Sequence, residues 1–140
     1  MIYICRKEYF NAAHKLYNPN WTKEKNEEVF GICSNEHWHG HNFEMIVTVK
    51  GEVDPERGFV MDMKQLGRMI KEHIISKVDH RNLNLDVDFL KGKMTTCETL
   101  AMSFWDILYP LIKESAPNAE LHCIELHETR NNFVKYYGGK

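Results

Sequence analysis

Between Phe43 and Lys50 the chain keeps a period of two, with Phe43, Met45, Val47 and Val49 alternating with Glu44, Ile46, Thr48 and Lys50. Successive side chains of an extended chain point to opposite faces, so this run demands a strand with one face against an apolar core. Such a strand needs partners. Ile2 to about Phe10, rich in β-branched and aromatic residues, reads as one of them. If that run stays extended to His14, Phe10, Ala12 and His14 share a face. Two further strands are predicted at about Glu120–Glu128 and Phe133–Tyr137, joined by a turn at Arg130-Asn131-Asn132.

Two helices lie between these pairs. Asp62 reads as an N-cap with Gln65 three residues on, and Met63, Leu66, Met69, Ile70, Ile74 and Val78 form one apolar stripe. Thr95-x-x-Glu98 opens a second helix carrying Leu100, Phe104, Ile107, Leu108 and Leu111, which Pro110 should kink or end. Residues 15–36 read as one long connection, with a turn at Asn18-Pro19-Asn20 and a charged run at Lys23–Glu28. Asp54-Pro55-Glu56-Arg57-Gly58 is a shorter turn. The order β-β-α-α-β-β implies an α+β fold: a four-stranded antiparallel sheet with two helices on one face. No repeat or linker interrupts it, and residues 1–140 read as one domain. The other sheet face carries Ile46, and Tyr136 and Tyr137 point to both sides of the last strand. A subunit that assembles into a closed ring would cover that face and the sheet edges.

Composition narrows the functional classes. Lys and Arg number 18 against 20 Asp and Glu, a formal charge of −2. A protein that binds nucleic-acid phosphates carries a basic surplus, so nucleic acid is not expected as a partner. Nothing approaches the ~18 apolar residues that span a bilayer. The apolar Met1–Cys5 is ended by Arg6-Lys7-Glu8, short of a signal-peptide core. Cys5, Cys33, Cys97 and Cys123 show no paired spacing of a disulfide framework. The expectation is a cytoplasmic protein. Its unusual number is eight histidines, three of them within Glu36-His37-Trp38-His39-Gly40-His41.

His39 and His41, two apart at the entry to the best strand, project from one face and can share a metal ion. His14 is expected at the end of the neighbouring strand. Three histidines with an open fourth position suit a catalytic zinc, whereas lone histidines are usually polar surface residues. Cys33 lies six residues before His39; a thiolate acts as base or nucleophile only when its pKa falls from ~8.5 toward neutrality. Asp79-His80 suits a proton relay in which the carboxylate orients the ring, although many such dipeptides only punctuate a helix end.

Phe10-Asn11-Ala12-Ala13-His14, Phe30-Gly31-x-Cys33, His39-Gly40-His41-Asn42-Phe43, Gly51-Glu52-Val53-Asp54-Pro55, Asp79-His80-Arg81-Asn82-Leu83, Thr96-x-Glu98 and Glu128-Thr129 together resemble the 6-pyruvoyl-tetrahydropterin synthase family, in its order. The resemblance implies a tunnelling fold in which trimers close a β-barrel and two trimers stack as a homohexamer with sites between subunits. It implies Zn2+ on His14, His39 and His41, with Cys33 as general base. Asp79 and His80 would be the relay, reaching in from a neighbouring subunit, and Glu128 would anchor the pterin with Thr96 close by. The implied substrate is 7,8-dihydroneopterin triphosphate, converted with loss of triphosphate to a 6-pyruvoyl- or 6-carboxy-tetrahydropterin for tetrahydropterin or queuosine biosynthesis. Arg6, Lys7 and Lys15 stand as candidate partners of the triphosphate.

The chain departs from that pattern in places. Five residues separate Cys33 from His39, as in the animal pyruvoyl-forming members, whereas 6-carboxy-forming members commonly have three. Others carry a glutamate two residues before the His-Gly-His in place of the cysteine and are associated with a 6-hydroxymethyl product for folate. This chain has both Cys33 and Glu36, so Glu36 is an alternative base. Cys97 follows Thr96, and His127 precedes Glu128, where the animal enzymes have threonine and tyrosine. Two other readings compete. Gly31, His37, His39, Glu44 and Gly51 match the first cupin motif in spacing, which would make His37 essential and His41 dispensable; a second cupin motif is absent. A non-catalytic protein binding zinc or a pterin on this fold is the other.

Overall fold

A computed structural model describes residues 1–139. The chain runs β1 (Ile2–His14), α1 (Lys23–Phe30), β2 (His39–Gly51), α2 (Met63–Ile70), α3 (Ser76–Val78), β3 (Arg81–Asn82), α4 (Cys97–Ser115), β4 (Ala119–His127) and β5 (Phe133–Tyr136). Short 3-10 turns at Gly31–Ser34 and Asp88–Leu90 and a π-helical turn at Lys71–Ile75 complete it.

The alternation that demanded strands produces them. β1 and β2 pair antiparallel from Ile2↔Gly51 to His14↔His39, so the extended run does reach His14. β2 pairs antiparallel with β4 through a register shift between Thr48 and Val49, and β4 with β5. The expected four-stranded antiparallel sheet is therefore extended: β3, two residues long, lies parallel to β1 through Ala12↔Arg81 and Ala13↔Asn82, giving the order β3-β1-β2-β4-β5 in a mixed sheet. Along the rest of β1, from Ile2 to Asn11, the outer edge has no partner strand among the described residues.

One sheet face makes the core. Phe10, Phe43, Met45, Val47, Val49, Ile124 and Leu126 pack with Leu66, Ile70, Ile74 and Val78 and with Leu100, Phe104, Leu108 and Ile112 of α4. Phe10 stacks on Phe43 at 4.7 Å between ring centroids and meets Phe104 edge-on at 5.9 Å. Met63 is the exception in its stripe, 40% exposed in the first turn. Asp62 caps α2 by accepting from the Lys64 N–H. Two helices over the sheet do not suit the all-β cupin barrel.

Three local expectations are corrected. The charged run in the connection is helix α1: Thr22 accepts from the Lys25 N–H, Gly31 ends it at φ +58°, and the buried Asn26 amide ties it back to Asn18 and Thr22. α4 passes through Pro110 to Ser115. The proline is exposed, so the hydrogen bond it cannot donate is lost on the solvent side while Leu108 and Ile112 stay buried. The cap of α4 is Thr96, not Thr95; the Thr96 hydroxyl accepts from the Thr99 N–H. Among the described residues, no helix is long and apolar enough to cross a membrane.

Candidate active site

Strand register builds the centre. His14 closes β1 opposite His39, and His41 lies opposite Ala12, so the three imidazoles share the core face at one end of the sheet. Their ring centroids are 4.6 Å apart for His14 and His39, 5.2 Å for His14 and His41, and 4.9 Å for His39 and His41. One ring nitrogen from each falls within 4.8 Å of the others. His14 is 1% exposed. Its Nδ1 donates to the Thr95 carbonyl at 2.8 Å, because a carbonyl can only accept; this sets the tautomer and leaves the Nε2 lone pair free.

Four buried nitrogens here have no hydrogen-bond partner: His14 Nε2, His39 Nδ1, His39 Nε2 and His41 Nε2. A buried polar atom left unpaired costs about 1–3 kcal/mol, and one ion shared by a nitrogen from each ring would satisfy three of these atoms at once. Burial favours neutral rings. It pushes His14 down to about 4 against the opposing Thr95 bond, and it lowers His39, aided by His41 and opposed by Glu128. Neutral imidazoles are the form that binds a metal, and the three ligand nitrogens lie close enough together to share one ion.

Glu128 lies just past β4, its N–H donating to the Asn132 carbonyl, and Oε1 sits 3.4 Å from His41 Nε2. Its carboxylate borders a cavity of about 270 Å³ together with Cys97, Glu98, Asn132 and Val134. The Cys97 thiol donates to the Leu126 carbonyl at 3.3 Å. Burial, helped by the negative charges of Glu128 and Glu98, pushes it up to about 12, so it stays protonated. Thr96, the cap of α4, spends its hydroxyl on Thr99.

Cys33 is half-buried in the 3-10 turn, and its carbonyl accepts from the Leu16 N–H at 2.8 Å, which holds the turn beside the end of β1. Glu36 and His37 are exposed and line a different cavity, about 880 Å³, shared with Lys15, Tyr17, Lys23 and Glu27. His37 thus stands outside the cluster and His41 inside it, the reverse of the cupin reading.

Asp79 and His80 follow α3 at the edge of the sheet. Asp79 Oδ1 accepts from the Asn11 N–H at 2.9 Å and lies 3.0 Å from His80 Nδ1; the His80 N–H donates to the Asn11 carbonyl. The Asn11 N–H, then His80, hold the Asp79 carboxyl below its ordinary range. The His80 ring is 81% exposed, and no described hydrogen bond or ion pair joins this dipeptide to the histidine cluster. Of the candidate cations, Arg6 is paired with Glu8 and Lys7 with Glu44, while Lys15 lies over the rings of Trp38 and Tyr17.

Sequence reasoning missed two supporting residues. Thr95 provides the carbonyl under His14, and Asn84 binds the Lys15 backbone through both side-chain ends while accepting from the Thr95 hydroxyl. Both links span about 70 to 80 positions, and no local pattern announces them.

The family model described as 6-pyruvoyl tetrahydropterin synthase matches residues 3–139. The 6-pyruvoyl tetrahydrobiopterin synthase of Pongo abelii is 38% identical over 135 residues, covering 96% of this chain and 90% of that protein. That of Dictyostelium discoideum is 38% identical over 137 residues, covering 98% and 96%. The solved structure of Caenorhabditis elegans 6-pyruvoyl tetrahydropterin synthase superimposes with a TM-score of 0.88 at 34% identity, over 99% of this chain and 96% of that one.

Proposed function

The chain belongs to the 6-pyruvoyl tetrahydropterin synthase family of lyases, and on that premise we propose that it acts on 7,8-dihydroneopterin triphosphate, releasing triphosphate to give 6-pyruvoyl-tetrahydropterin. The observation that carries this reading is the convergence of unpaired histidine nitrogens beside the Glu128 carboxylate. The pyruvoyl product is favoured over the carboxy product by the relatives that bear the pyruvoyl name.

In this reading His14, His39 and His41 hold a zinc ion, which when bound supplies a Lewis acid for the hydroxyls of the substrate side chain. Glu128 accepts paired hydrogen bonds from the amino and ring N–H edge of the pterin, fixing the side chain over the histidines. Cys33 is the base that removes a proton from a side-chain carbon next to a hydroxyl. Asp79 orients the His80 ring through Nδ1, and His80 returns a proton. Thr96 supports the pterin pocket by fixing the start of α4.

The open outer edge of β1 and the place of Asp79 and His80 on that side suit a ring of subunits in which the relay of one copy serves its neighbour. The family resemblance implies three copies in such a ring and two rings in a homohexamer.

The test is mass spectrometry of the products formed from 7,8-dihydroneopterin triphosphate by zinc-loaded protein. A pyruvoyl product supports the proposal in full. A carboxy product with acetaldehyde moves the protein to the queuosine branch, and a hydroxymethyl product moves it to the folate branch, where a Glu36→Ala variant tests that residue as the base. Intact substrate with metal bound and the fold preserved overturns the lyase reading in favour of a binding protein.

A further inference from the structure

The ladder between β1 and β2 ends on the rung His14↔His39, so two of the three histidines occupy the position where paired strands fray most easily. The next residue on each side is Lys15 and Trp38. Trp38 has φ +71°, a region that a bulky residue enters only at a cost. Its N–H closes a turn onto the Asn35 carbonyl at 3.2 Å. In that conformation its ring lies under the Lys15 ammonium, 4.5 Å from Nζ to centroid, with Tyr17 on the same ammonium at 5.3 Å. Lys15 forms no ion pair with a carboxylate among the described residues. Its backbone is held at both ends by Asn84, which also binds the hydroxyl of Thr95, the residue whose carbonyl fixes the His14 ring.

We propose that Lys15 and Trp38 form a cation–π clasp that extends the strand pairing one step past the metal ligands and sets how tightly the histidine cluster holds its ion. The strained Trp38 backbone is the cost of that preorganisation. Both are positioning residues, acting through His14 and His39. The inference rests on the metal reading of the cluster, though not on the lyase reaction.

The measurement is zinc affinity, by competition with a chelator, for the full chain and for Lys15→Met, Lys15→Arg, Trp38→Gly and the Lys15→Met/Trp38→Gly double variant. Lys15→Met and Trp38→Gly should each loosen zinc about threefold to thirtyfold, the range of one cation–π contact. The double variant should lose no more than the weaker single variant, and Lys15→Arg should restore wild-type affinity. Glycine accepts positive φ freely, so Trp38→Gly should not lower the melting temperature of the metal-free protein even as it loosens zinc. This split separates positioning from general stability.

Single variants within about twofold of wild type, or losses that multiply in the double variant, overturn the clasp. Lys15→Met that raises KM at unchanged zinc affinity also overturns it and leaves Lys15 as a phosphate partner. Wild-type protein that binds no zinc overturns the metal reading with it, whereas tight zinc and an intact clasp without turnover overturn only the lyase assignment.

Discussion

His14 donates its Nδ1 proton to the carbonyl of Thr95 at 2.8 Å, across a separation of 81 residues, and is 1% exposed. The end of β1 and the start of α4 thus fix one imidazole in one tautomer, with Nε2 facing His39 and His41. The same burial makes the ring a poor base, lowered from 6.5 to about 4.

That value predicts an acid-sensitive metal-free protein. As pH falls below 6.5 the unfolded chain protonates His14 while the folded chain does not, so stability is lost between pH 6.5 and about 4 and levels off below. The loss from this ring is roughly 3 kcal/mol, from 1.36 kcal/mol per unit. Urea unfolding of chelator-treated protein across that window should show it, and His14→Leu should flatten the slope. An equal slope in the variant would mean another group is responsible.

Glu128→Gln keeps the shape of the side chain and removes its charge. If the carboxylate accepts the pterin edge, pterin affinity should fall about tenfold to a hundredfold, the worth of a hydrogen bond to a charged group. Bound zinc should stay stoichiometric. Fluorescence titration with a non-reacting pterin and metal analysis of the same sample read both quantities.

Cys33 and Cys97 should separate on alkylation. At pH 8 Cys97, held up to about 12 and bonded to the Leu126 carbonyl, stays a buried thiol. Iodoacetamide should leave it unmodified in the folded protein, and Cys97→Ser should keep turnover. Cys33→Ala should lower kcat at least about a hundredfold, the usual share of a proton-transfer residue, with zinc retained. Peptide mass mapping beside the activity assay checks this; wild-type turnover in Cys33→Ala would remove the cysteine from the mechanism.

Gly67 tests the packing of α2 on the sheet. A Cβ at this position would stand 2.7 Å from Cζ of Arg6, whose guanidinium is held by Glu8 at 2.8 and 3.0 Å. Swinging the part-exposed arginine away breaks that pair, worth about 0–1 kcal/mol, while alanine gains about 1 kcal/mol over glycine inside a helix, so Gly67→Ala should leave stability within about 1 kcal/mol of wild type. In the Arg6→Ala background, where neither the close contact nor the ion pair remains, Gly67→Ala should stabilise by about 1 kcal/mol. Denaturant midpoints of the four proteins give the coupling.

The legible parts were those that depend on near neighbours. Alternation set β1, β2, β4 and β5, the Asp62 cap marked α2, and the two-residue spacing of His39 and His41 placed them on one face with His14 opposite. α1 escaped because it lacks an apolar stripe; Thr22, Gly31 and the buried Asn26 hold it, and they are visible only once the chain folds back on itself. β3 escaped because two residues carry no pattern and pair parallel to a distant strand. The Thr95 and Asn84 contacts are products of tertiary structure alone.

The last rung of β1 and β2 has a consequence for how such a protein can diverge. His14 and His39 are fixed by strand register, while residues 15–38, Cys33 among them, form a loop whose two ends the ladder already holds together. Doubling such a loop costs only about 0.6 kcal/mol in closure entropy. Insertions, deletions or substitutions there can move or replace the proposed base, Cys33, without disturbing the imidazoles. With Cys33 as that base, the choice of product can drift with loop length while the histidine cluster is inherited intact.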